Sequence, residues 1–419
     1  MRWFFRFVYF AILPLAGFAG TAFAQQPFTW EQVRQRFEQN NPTLLAGKLN
    51  IDESRAEEIT AHLRPNPDLG LVVDQINPFS GGPPHTTFGT LLTVASVSYL
   101  HERDHKRELR LQSAEGATAI AESSQADLER NLLFALRGAF VGTLQAKAVL
   151  QVAKDNLAYW DQVLVISRDR FRAGDLAQVD LDRLELQRVQ FESDLQTAEV
   201  NLRTAKIQLS MLLNDRTPVE QFDVTGSFEF SDQLSPLDDF RQIAQDTRPD
   251  LKAAAQGVDK AKTDHKLAVA NGSTDPTFGF DVGRNPPIDQ YIGVGLTIPL
   301  RIFDRNQGEK LRTQLDIDRN QRLLDAAKAQ VLSDVDSSYA LVNSNLILLG
   351  PYKAKYLQQA VRVRETVRFA YEHGGASLLD FLNAENDYRN VQLNYVNLIG
   401  SYLTAAAQLN LAVGREVIQ

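Results

Sequence analysis

The stretch "FRAGDLAQVDLDRLELQ" at residues 171–187 returns in altered form as "YEHGGASLLDFLNAEND" at residues 371–387. Three residue types stay in register between the copies: Gly174 with Gly374, Asp180 with Asp380, and Glu185 with Glu385. Four further matches follow at the same offset between 204–209 and 404–409. A single offset held over this span predicts that the chain is an internal duplication.

Each half repeats one order of predicted elements. A first helix, at about 42–64 or 249–270, precedes two short strands around a polar loop. A very long helix follows, then a glycine break and a second long helix. The predicted strands lie near 68–76, 89–100, 276–284 and 290–299. We therefore divide the mature chain into a first repeat, 25–240, and a second repeat, 241–419.

The long helices have the pattern of a coiled coil. Apolar residues recur every seven positions in the last helix, at Phe381, Tyr388, Tyr395, Tyr402 and Leu409. A second apolar set lies three residues after each of these, which completes a heptad seam over four repeats. The stretch 103–171 contains no proline and, at 1.5 Å per residue, predicts a helix roughly 100 Å long.

In the predicted strands, apolar and polar residues alternate with a period of two, in contrast to the heptads of the helices. Phe278, Phe280 and Val282 alternate with small or polar residues, which is typical of a membrane β-barrel wall and also of a half-buried soluble sheet. Single-chain barrels start at about eight strands, and an open sheet edge cannot lie in lipid. If these four strands span a membrane, several chains must share one barrel.

The N-terminus and the composition indicate the cellular compartment of the protein. Arg2 and Arg6 precede an apolar run, 7–20, and a small-residue cleavage site at Ala22–Ala24, so residues 1–24 are predicted to be a cleaved export signal. No later segment is expected to be a membrane-spanning helix. The chain contains no cysteine, which excludes disulfides and a lipid anchor on an N-terminal cysteine. The net charge of −8 with scattered basic residues predicts no nucleic-acid partner.

The stretch "HERDH" at 101–105 fits the H-E-x-x-H pattern of zinc proteases. Its counterpart at the offset of 200, Arg301–Arg305, has no histidine, and Glu122 lies too far along the same helix to share a metal with His105. We interpret the stretch as a polar strand-to-helix junction and predict no metal site. Occasional metal contact by His101 and His105 stays open.

These features together resemble the outer-membrane efflux family, the TolC-like exit ducts of tripartite pumps and type I secretion systems. The resemblance is carried by Ile298–Leu300 with Phe303–Gly308 at the strand-to-helix junction, and by the duplicated Gly-x5-Asp breaks. The segment "LRPNPDL" at 63–69 looks most like the heavy-metal (cobalt, zinc, cadmium) efflux branch.

The resemblance implies a mainly α-helical fold with membrane β-strands, in which an internally duplicated chain forms long helical coiled coils and contributes four strands. Three chains would form a 12-stranded outer-membrane β-barrel and a continuous periplasmic α-barrel. The segments 28–41 and 214–240 and the C-terminal end would form an equatorial belt. The loops 77–88 and 284–290 would face the exterior.

The resemblance also implies partners. The chain would be a homotrimer in outer-membrane lipid, and it would dock on a periplasmic adaptor. An inner-membrane pump of the resistance-nodulation-division type would deliver the cargo, either metal cations or other toxic small molecules. The docking tips would be Gly174, Asp175, Leu176, Gly374, Gly375, Ala376 and Ser377. A passive duct of this kind needs no catalytic residue, no cofactor and no bound metal.

Four residues match the gate of the family. Asp380 matches the position that rings the aperture, and Asn383 stands where many relatives have a second acid. Tyr371 and Asp180 match positions that link neighbouring helix pairs, whereas the arginine of the family's latch is replaced by Ala376. Asp380 is otherwise an ordinary surface aspartate, and Tyr371 and Asp180 are otherwise ordinary helix-interface residues.

Three functions compete at this stage. The first is the outer-membrane exit duct, serving a metal pump, a drug pump or a type I secretion system. The second is a structural coiled-coil envelope protein without a channel. The third is an envelope hydrolase, which "HERDH" alone supports.

Overall fold

The computed structural model describes residues 26–76, 91–285 and 288–418. The predicted export signal and the predicted outer loop 77–88 lie outside these ranges. The helices are α1 (Trp30–Asn40), α2 (Pro42–His62), α3 (Lys106–Ala173), α4 (Gln178–Leu212), α5 (Leu237–Thr247), α6 (Pro249–Ala270), α7 (Gln307–Pro351), α8 (Leu357–Glu372) and α9 (Leu378–Val413). The strands are β1 (Asp68–Asp74), β2 (Leu92–Leu100), β3 (Thr277–Asn285) and β4 (Ile288–Thr297). The chain is therefore mainly helical with one small sheet, as predicted.

The two copies of the long helix differ. α3 runs unbroken for 68 residues, whereas its counterpart is interrupted after Pro351 by a π-helical turn at Tyr352–Tyr356 before α8 continues. Proline lacks the N–H that an α-helical turn needs, and an extra residue in one turn accommodates that loss. The prediction of one very long helix is thus wrong for the second half.

Glycine ends both long helices at the same place in the repeat. Gly174 follows α3 with φ of 85°, and Gly374 follows α8 with φ of 76°. A residue with a side chain is strained at these angles, so glycine is the natural helix terminator here. The chain reverses within a few residues at each site, and α4 and α9 return alongside α3 and α8.

The long helices form one layer. α3 packs on both α4 and α9, and α9 packs in turn on α7 and α8. The layer order is therefore α4, α3, α9 and then α7–α8, with α4 at one edge and α7–α8 at the other. The predicted heptad seam of α9 lies largely inside the layer, since Phe381, Tyr402 and Leu409 are fully buried.

The four strands form one antiparallel sheet in the order β1-β2-β3-β4. The predicted loop 284–290 is wrong in extent, because β3 continues to Asn285 and β4 begins at Ile288. The register aligns the apolar residues of neighbouring strands, as in the pairs Leu69–Val97, Val97–Phe280 and Phe280–Val294. One face is consequently apolar, and it is exposed to solvent in the single chain.

Short segments thicken the middle of the helical layer. Phe28 forms a parallel bridge with Val224, and both side chains join Phe37 and Leu136 in a buried cluster on the α3 side. α5 places Phe240 in a second cluster with α7 and α9. The predicted belt segments 28–41 and 214–240 thus pack on the middle of the long helices.

Two of the long helices contain stretches apolar enough to cross a membrane by length and composition, contrary to the expectation from the sequence. They are α3 and α9. Packing accounts for that composition: Leu136, Phe140 and Leu144 of α3 and Ile399 and Tyr402 of α9 lie in the buried clusters. An apolar core helix passes the same test as a membrane span.

Candidate functional site

The first turn of α9 carries the predicted aperture residue Asp380. Ser377 and Asp380 form a reciprocal capping box, in which Asp380 Oδ2 accepts hydrogen bonds from Ser377 Oγ at 2.7 Å and Ser377 N at 3.1 Å. These bonds lower the pKa of Asp380, so its exposed carboxylate is ionised at neutral pH. Asn383 is exposed one turn further on, so the first turn presents one charge. The aperture role of both residues stays a prediction.

The predicted latch residues lie on different helix pairs. The Tyr371 ring stacks on Phe381 at 5.0 Å between centroids, and the Arg170 guanidinium lies 5.3 Å from its centre. The Tyr371 hydroxyl is buried and has no hydrogen-bond partner in the described residues. Burial raises the pKa of Tyr371, and the Asp180 carboxylate raises it further while Arg170 lowers it. Asp180 therefore acts on the pKa of Tyr371 without a hydrogen bond between the two residues, and the latch stays a prediction.

The predicted docking residues form two turns at one end of the helical layer, in which Leu176 and Ala376 are half-buried and the others are exposed. Gly174, Asp175 and Leu176 join α3 to α4, and Asp175 N donates to Arg170 O at 2.9 Å. Gly374, Gly375, Ala376 and Ser377 join α8 to α9, and Gly375 N donates to Ala370 O at 2.7 Å. The two turns close their helices in the same way, so the duplicated motif produces duplicated tips.

A buried polar cluster near the tips was missed in the sequence. Tyr159 Oη of α3 donates a 2.9 Å hydrogen bond to Glu385 Oε1 of α9, and Glu385 is only 6 % exposed. The Arg364 guanidinium of α8 lies 4.9 Å from the Tyr159 ring centre and 3.9 Å from that of Tyr388. Burial raises the pKa of Glu385, although Tyr159 and Arg364 oppose this shift. The sequence signal was the substitution of Arg364 for the apolar Leu164 of the first repeat.

The "HERDH" stretch joins β2 to α3, and charged residues in it and directly after it make structural contacts. The buried Lys106 pairs with Asp275 at 2.6 Å, and Glu102 binds Arg110 with 2.9 Å between Oε2 and the guanidinium. His105 is 87 % exposed and has a positive φ of 58° at the start of α3. Across the described ranges, no three His, Asp or Glu side chains are placed to hold a metal ion.

The structural counterpart of His105 corrects the predicted alignment of this junction. Asn306 starts α7 with a φ of 62°, in the same left-handed conformation. The equivalence is therefore His105 with Asn306, one residue beyond the offset of 200. Asparagine adopts this conformation more readily than most residues, and its amide also donates to Ala268 O at 2.7 Å.

The face of the sheet opposite the apolar one is rich in glycine and carries three aspartates, beside Val72, Val94 and Tyr291. β3 and β4 present Gly279, Gly283, Gly293 and Gly295 there, and the register places Asp281 opposite Gly293. A Cβ on Gly293 would lie 2.6 Å from Asp281 Oδ1, so glycine at this position gives the carboxylate room in its observed rotamer. Asp68 and Asp74 of β1 share the face, and no lysine or arginine lies on it among the described strand positions.

Comparisons with known proteins agree with this architecture. The sequence profile described as "Outer membrane efflux protein" matches residues 240–415. The cobalt-zinc-cadmium resistance protein CzcC of Cupriavidus metallidurans is 22 % identical over 407 residues, which cover 94 % of this chain and 91 % of CzcC.

Solved structures share the fold at low identity. CusC, described in terms of transmembrane channel formation, superposes with a TM-score of 0.78 at 17 % identity over 92 % of both chains. The outer membrane protein VceC of Vibrio cholerae superposes with a TM-score of 0.76 at 16 % identity, over 93 % of this chain and 96 % of VceC. The long helical pairs and the small sheet are thus one shared fold.

Proposed function

We propose that the chain is an outer-membrane member of the outer membrane efflux protein family, whose profile matches residues 240–415, and that three copies form the passive exit duct of a tripartite efflux system. The family is one of channels rather than enzymes. The 12-stranded barrel, the periplasmic adaptor and an inner-membrane pump of the resistance-nodulation-division type all belong to this proposal, and so does the division into repeats 25–240 and 241–419.

The two-faced, four-stranded sheet with open edges carries the proposal. Its exposed apolar face suits lipid, whereas its glycine-rich face suits a water-filled bore. β1 and β4 each leave one row of backbone groups unpaired within the chain. Such an edge is untenable in lipid, so β4 of one copy would pair with β1 of the next until the ring closes.

The edges of the helical layer support the same closure. α4 exposes apolar residues at heptad-compatible spacing, at Val179, Leu186, Val200 and Ile207. The opposite edge exposes Leu341 and Leu348 of α7, also seven residues apart. Two complementary apolar stripes on opposite edges suit a head-to-tail ring, in which each copy offers α4 to the α7–α8 edge of its neighbour.

We propose metal cations as the principal cargo. Likeness to a cobalt-zinc-cadmium resistance protein and the acidic, lysine-free inner face of the sheet support this choice. The alternatives are the duct of a drug pump or of a type I secretion system, and a structural envelope protein without a channel. The tips at Gly174–Leu176 and Gly374–Ser377 would dock on the adaptor.

Two measurements test the function. The purified protein should have the mass of a trimer and give discrete single-channel currents in planar lipid bilayers. A monomer that gives no current would instead support the structural envelope protein. Deletion of the gene, with restoration as the control, should make the host hypersensitive to zinc, cobalt or cadmium. Hypersensitivity to dyes, detergents or antibiotics alone would reassign the duct to a drug pump.

A further inference from the structure

A cavity of about 440 Å³ lies beside the belt segments, where α1 and the chain after α9 meet α3. Its apolar wall includes Trp30, Leu133 and Phe134. Six charged residues also line it, four arginines and two glutamates: Arg34, Arg130, Arg137, Arg415, Glu129 and Glu416. The volume is that of a small-molecule site, and most of the charges around it are positive.

Aromatic rings, and not an acid, hold the Arg137 guanidinium at this cavity. The guanidinium lies 4.5 Å from the centre of the Trp30 ring and 6.0 Å from that of Phe140. Burial lowers the pKa of Arg137, and the more distant Glu416 and Glu31 oppose this shift. Within the described chain, Arg137 forms no ion pair or hydrogen bond with any of its neighbours. A half-buried cation of this kind is stabilised by an anion that enters the cavity.

The other arginines of the cavity differ in their availability to a ligand. Arg34 and Arg130 pair with acids on their own helices, at 2.8 Å and 2.5 Å. Arg415 is exposed and has no such pairing among the described residues. Arg137 and Arg415 are therefore the cations of this cavity that a ligand can use.

The segment that carries Arg415 is fixed against α9. Gly414 ends α9 with φ of 89° and turns the chain towards the cavity. Asn410 Oδ1 accepts hydrogen bonds from Val417 N at 2.8 Å and Ile418 N at 2.9 Å. Asn410 Nδ2 donates in return to Ile418 O at 2.6 Å. Specific hydrogen bonds thus hold this wall of the cavity in place.

The described residues of the second repeat form no matching site. α5 takes the place of α1 there, and its Arg241 forms ion pairs with Asp336 at 2.7 Å and Asp238 at 3.0 Å. Ser338 of α7 stands where α3 has Arg137, counted from the left-handed residues that begin the two helices. The shared fold therefore does not require the unpaired arginine of the first repeat.

The cavity is also separate from the surfaces that the proposed channel uses. Its lining belongs to α1, α3, the start of α6, α9 and the chain after α9. None of these lining residues comes from the α4 edge, the α7–α8 edge or the tips. The ring proposed above consequently leaves the cavity open.

We propose that this cavity binds an organic monocarboxylate, whose carboxylate pairs with Arg137 and Arg415 and whose apolar body packs on Trp30. Guanidinium groups bind carboxylates through charge-assisted hydrogen bonds. Glu129 and Glu416 line the same cavity and disfavour a second negative charge on the ligand. The inference does not depend on the channel function, since the site lies outside the route of the cargo.

The test measures binding of phenylacetate to the purified protein in detergent. Trp30 reports on the cavity, because Trp160, the other tryptophan after the predicted signal, is fully buried in a separate cluster. We expect saturable quenching of tryptophan fluorescence with a dissociation constant on the order of 1 mM or lower. The ligand should also raise the thermal unfolding temperature. Phenylacetamide lacks the charge and acetate lacks the ring, so each should bind about tenfold more weakly or worse.

Variants of the two arginines locate the binding site. Arg137→Gln and Arg415→Gln should each weaken phenylacetate binding about tenfold, because each removes a bond between two charged groups. Arg415 is exposed, so Arg415→Gln keeps the test decisive even where Arg137→Gln fails to fold. Arg216→Gln is the control, since it removes an exposed arginine of the belt that does not line the cavity. It should bind phenylacetate as the wild type does.

A second probe identifies the source of the carboxylate. N-acetylglycylphenylalanine carries the same two groups on a peptide, so tighter binding than that of phenylacetate would assign the site to the C-terminus of a partner protein. Weaker binding would assign it to a free organic acid. No saturable binding of either probe would overturn the site, and so would equal binding by the wild type and both arginine variants. Equal binding of phenylacetamide would overturn the carboxylate. A channel that conducts but binds no probe would lose this site alone.

Discussion

Asp380 forms part of the N-terminal cap of α9, and this contact predicts both its charge and its effect on passing ions. The Ser377 bonds keep the carboxylate ionised, and a ring of such charges would attract cations. We predict that Asp380→Ala lowers cation selectivity and cation block, measured as the reversal potential in a salt gradient, without preventing trimer formation. Asp387→Ala, on an exposed position of the same helix, is the control. Unchanged selectivity in Asp380→Ala would remove Asp380 from the neck.

Burial of Glu385 fixes the direction in which the stability of the folded chain changes with pH. Burial raises its pKa above the ordinary value of 4.5, so the folded chain binds this proton more tightly than the unfolded chain. The stabilisation is complete below pH 4.5 and is lost as the pH rises through the raised pKa.

We therefore predict that the wild type loses stability relative to Glu385→Gln over that rise, by roughly 1.4 kcal/mol for each pH unit by which the pKa is raised. Thermal unfolding of the detergent-solubilised protein between pH 4 and 9, roughly, measures the difference. Glu185→Gln should show no such trend, because Glu185 is exposed. A constant difference between the wild type and Glu385→Gln would contradict a raised pKa.

Among the elements, substitutions at two adjacent residues of β3 test which face of the sheet contacts lipid. Phe280 lies on the apolar face and Asp281 on the acidic face of one strand. We predict that Phe280→Lys lowers the yield of membrane-inserted channel, because a lysine on the lipid face costs about 2–4 kcal/mol at the bilayer midplane. Asp281→Lys should insert normally and shift the channel towards anions. Equal insertion of both variants, measured by heat-modifiability and bilayer currents, would refute the assignment of faces.

The elements also separate what the sequence could predict from what it could not. Alternation in Phe278–Val282 predicted a strand because period 2 is local, and the heptads of α9 predicted a buried seam for the same reason. The helix reversals followed from Gly174 and Gly374, since few residues accept a positive φ. The π-helical turn after Pro351 was missed, although proline marked it, because hydrogen-bond register depends on the surrounding packing.

The candidate site was predictable only in part. The two helix-reversing turns followed from the duplicated glycines, whereas the docking role of these turns and the aperture role of Asp380 stay predictions. The contact between Tyr159 and Glu385 joins residues 226 apart in sequence, and no periodicity connects them. Burial of an acid depends on three helices meeting, so the sequence alone does not distinguish the buried Glu385 from its exposed counterpart Glu185.

For the whole molecule, ring closure should depend on the α4 edge. Val200 is exposed on that edge, whereas its neighbour Asn201 lines a groove against α3. We predict that Val200→Asp shifts the purified protein from trimer towards monomer, because it places a charge in an apolar stripe that a second copy must cover. Asn201→Asp adds the same charge beside it and should leave the mass unchanged. The native masses of both variants test this prediction. An intact trimer in Val200→Asp would exclude the α4 edge from the interface between copies.

Because β1 and β4 are different edges of the sheet, a mutation at one edge has a genetic consequence in a cell that also expresses the normal chain. A copy damaged only at β1 still offers a sound β4 to a normal neighbour, so it would join a growing ring and leave it unclosed. Such an allele would act against the normal copies expressed beside it and would be dominant. An allele that removes the whole chain would leave normal rings untouched and would be recessive.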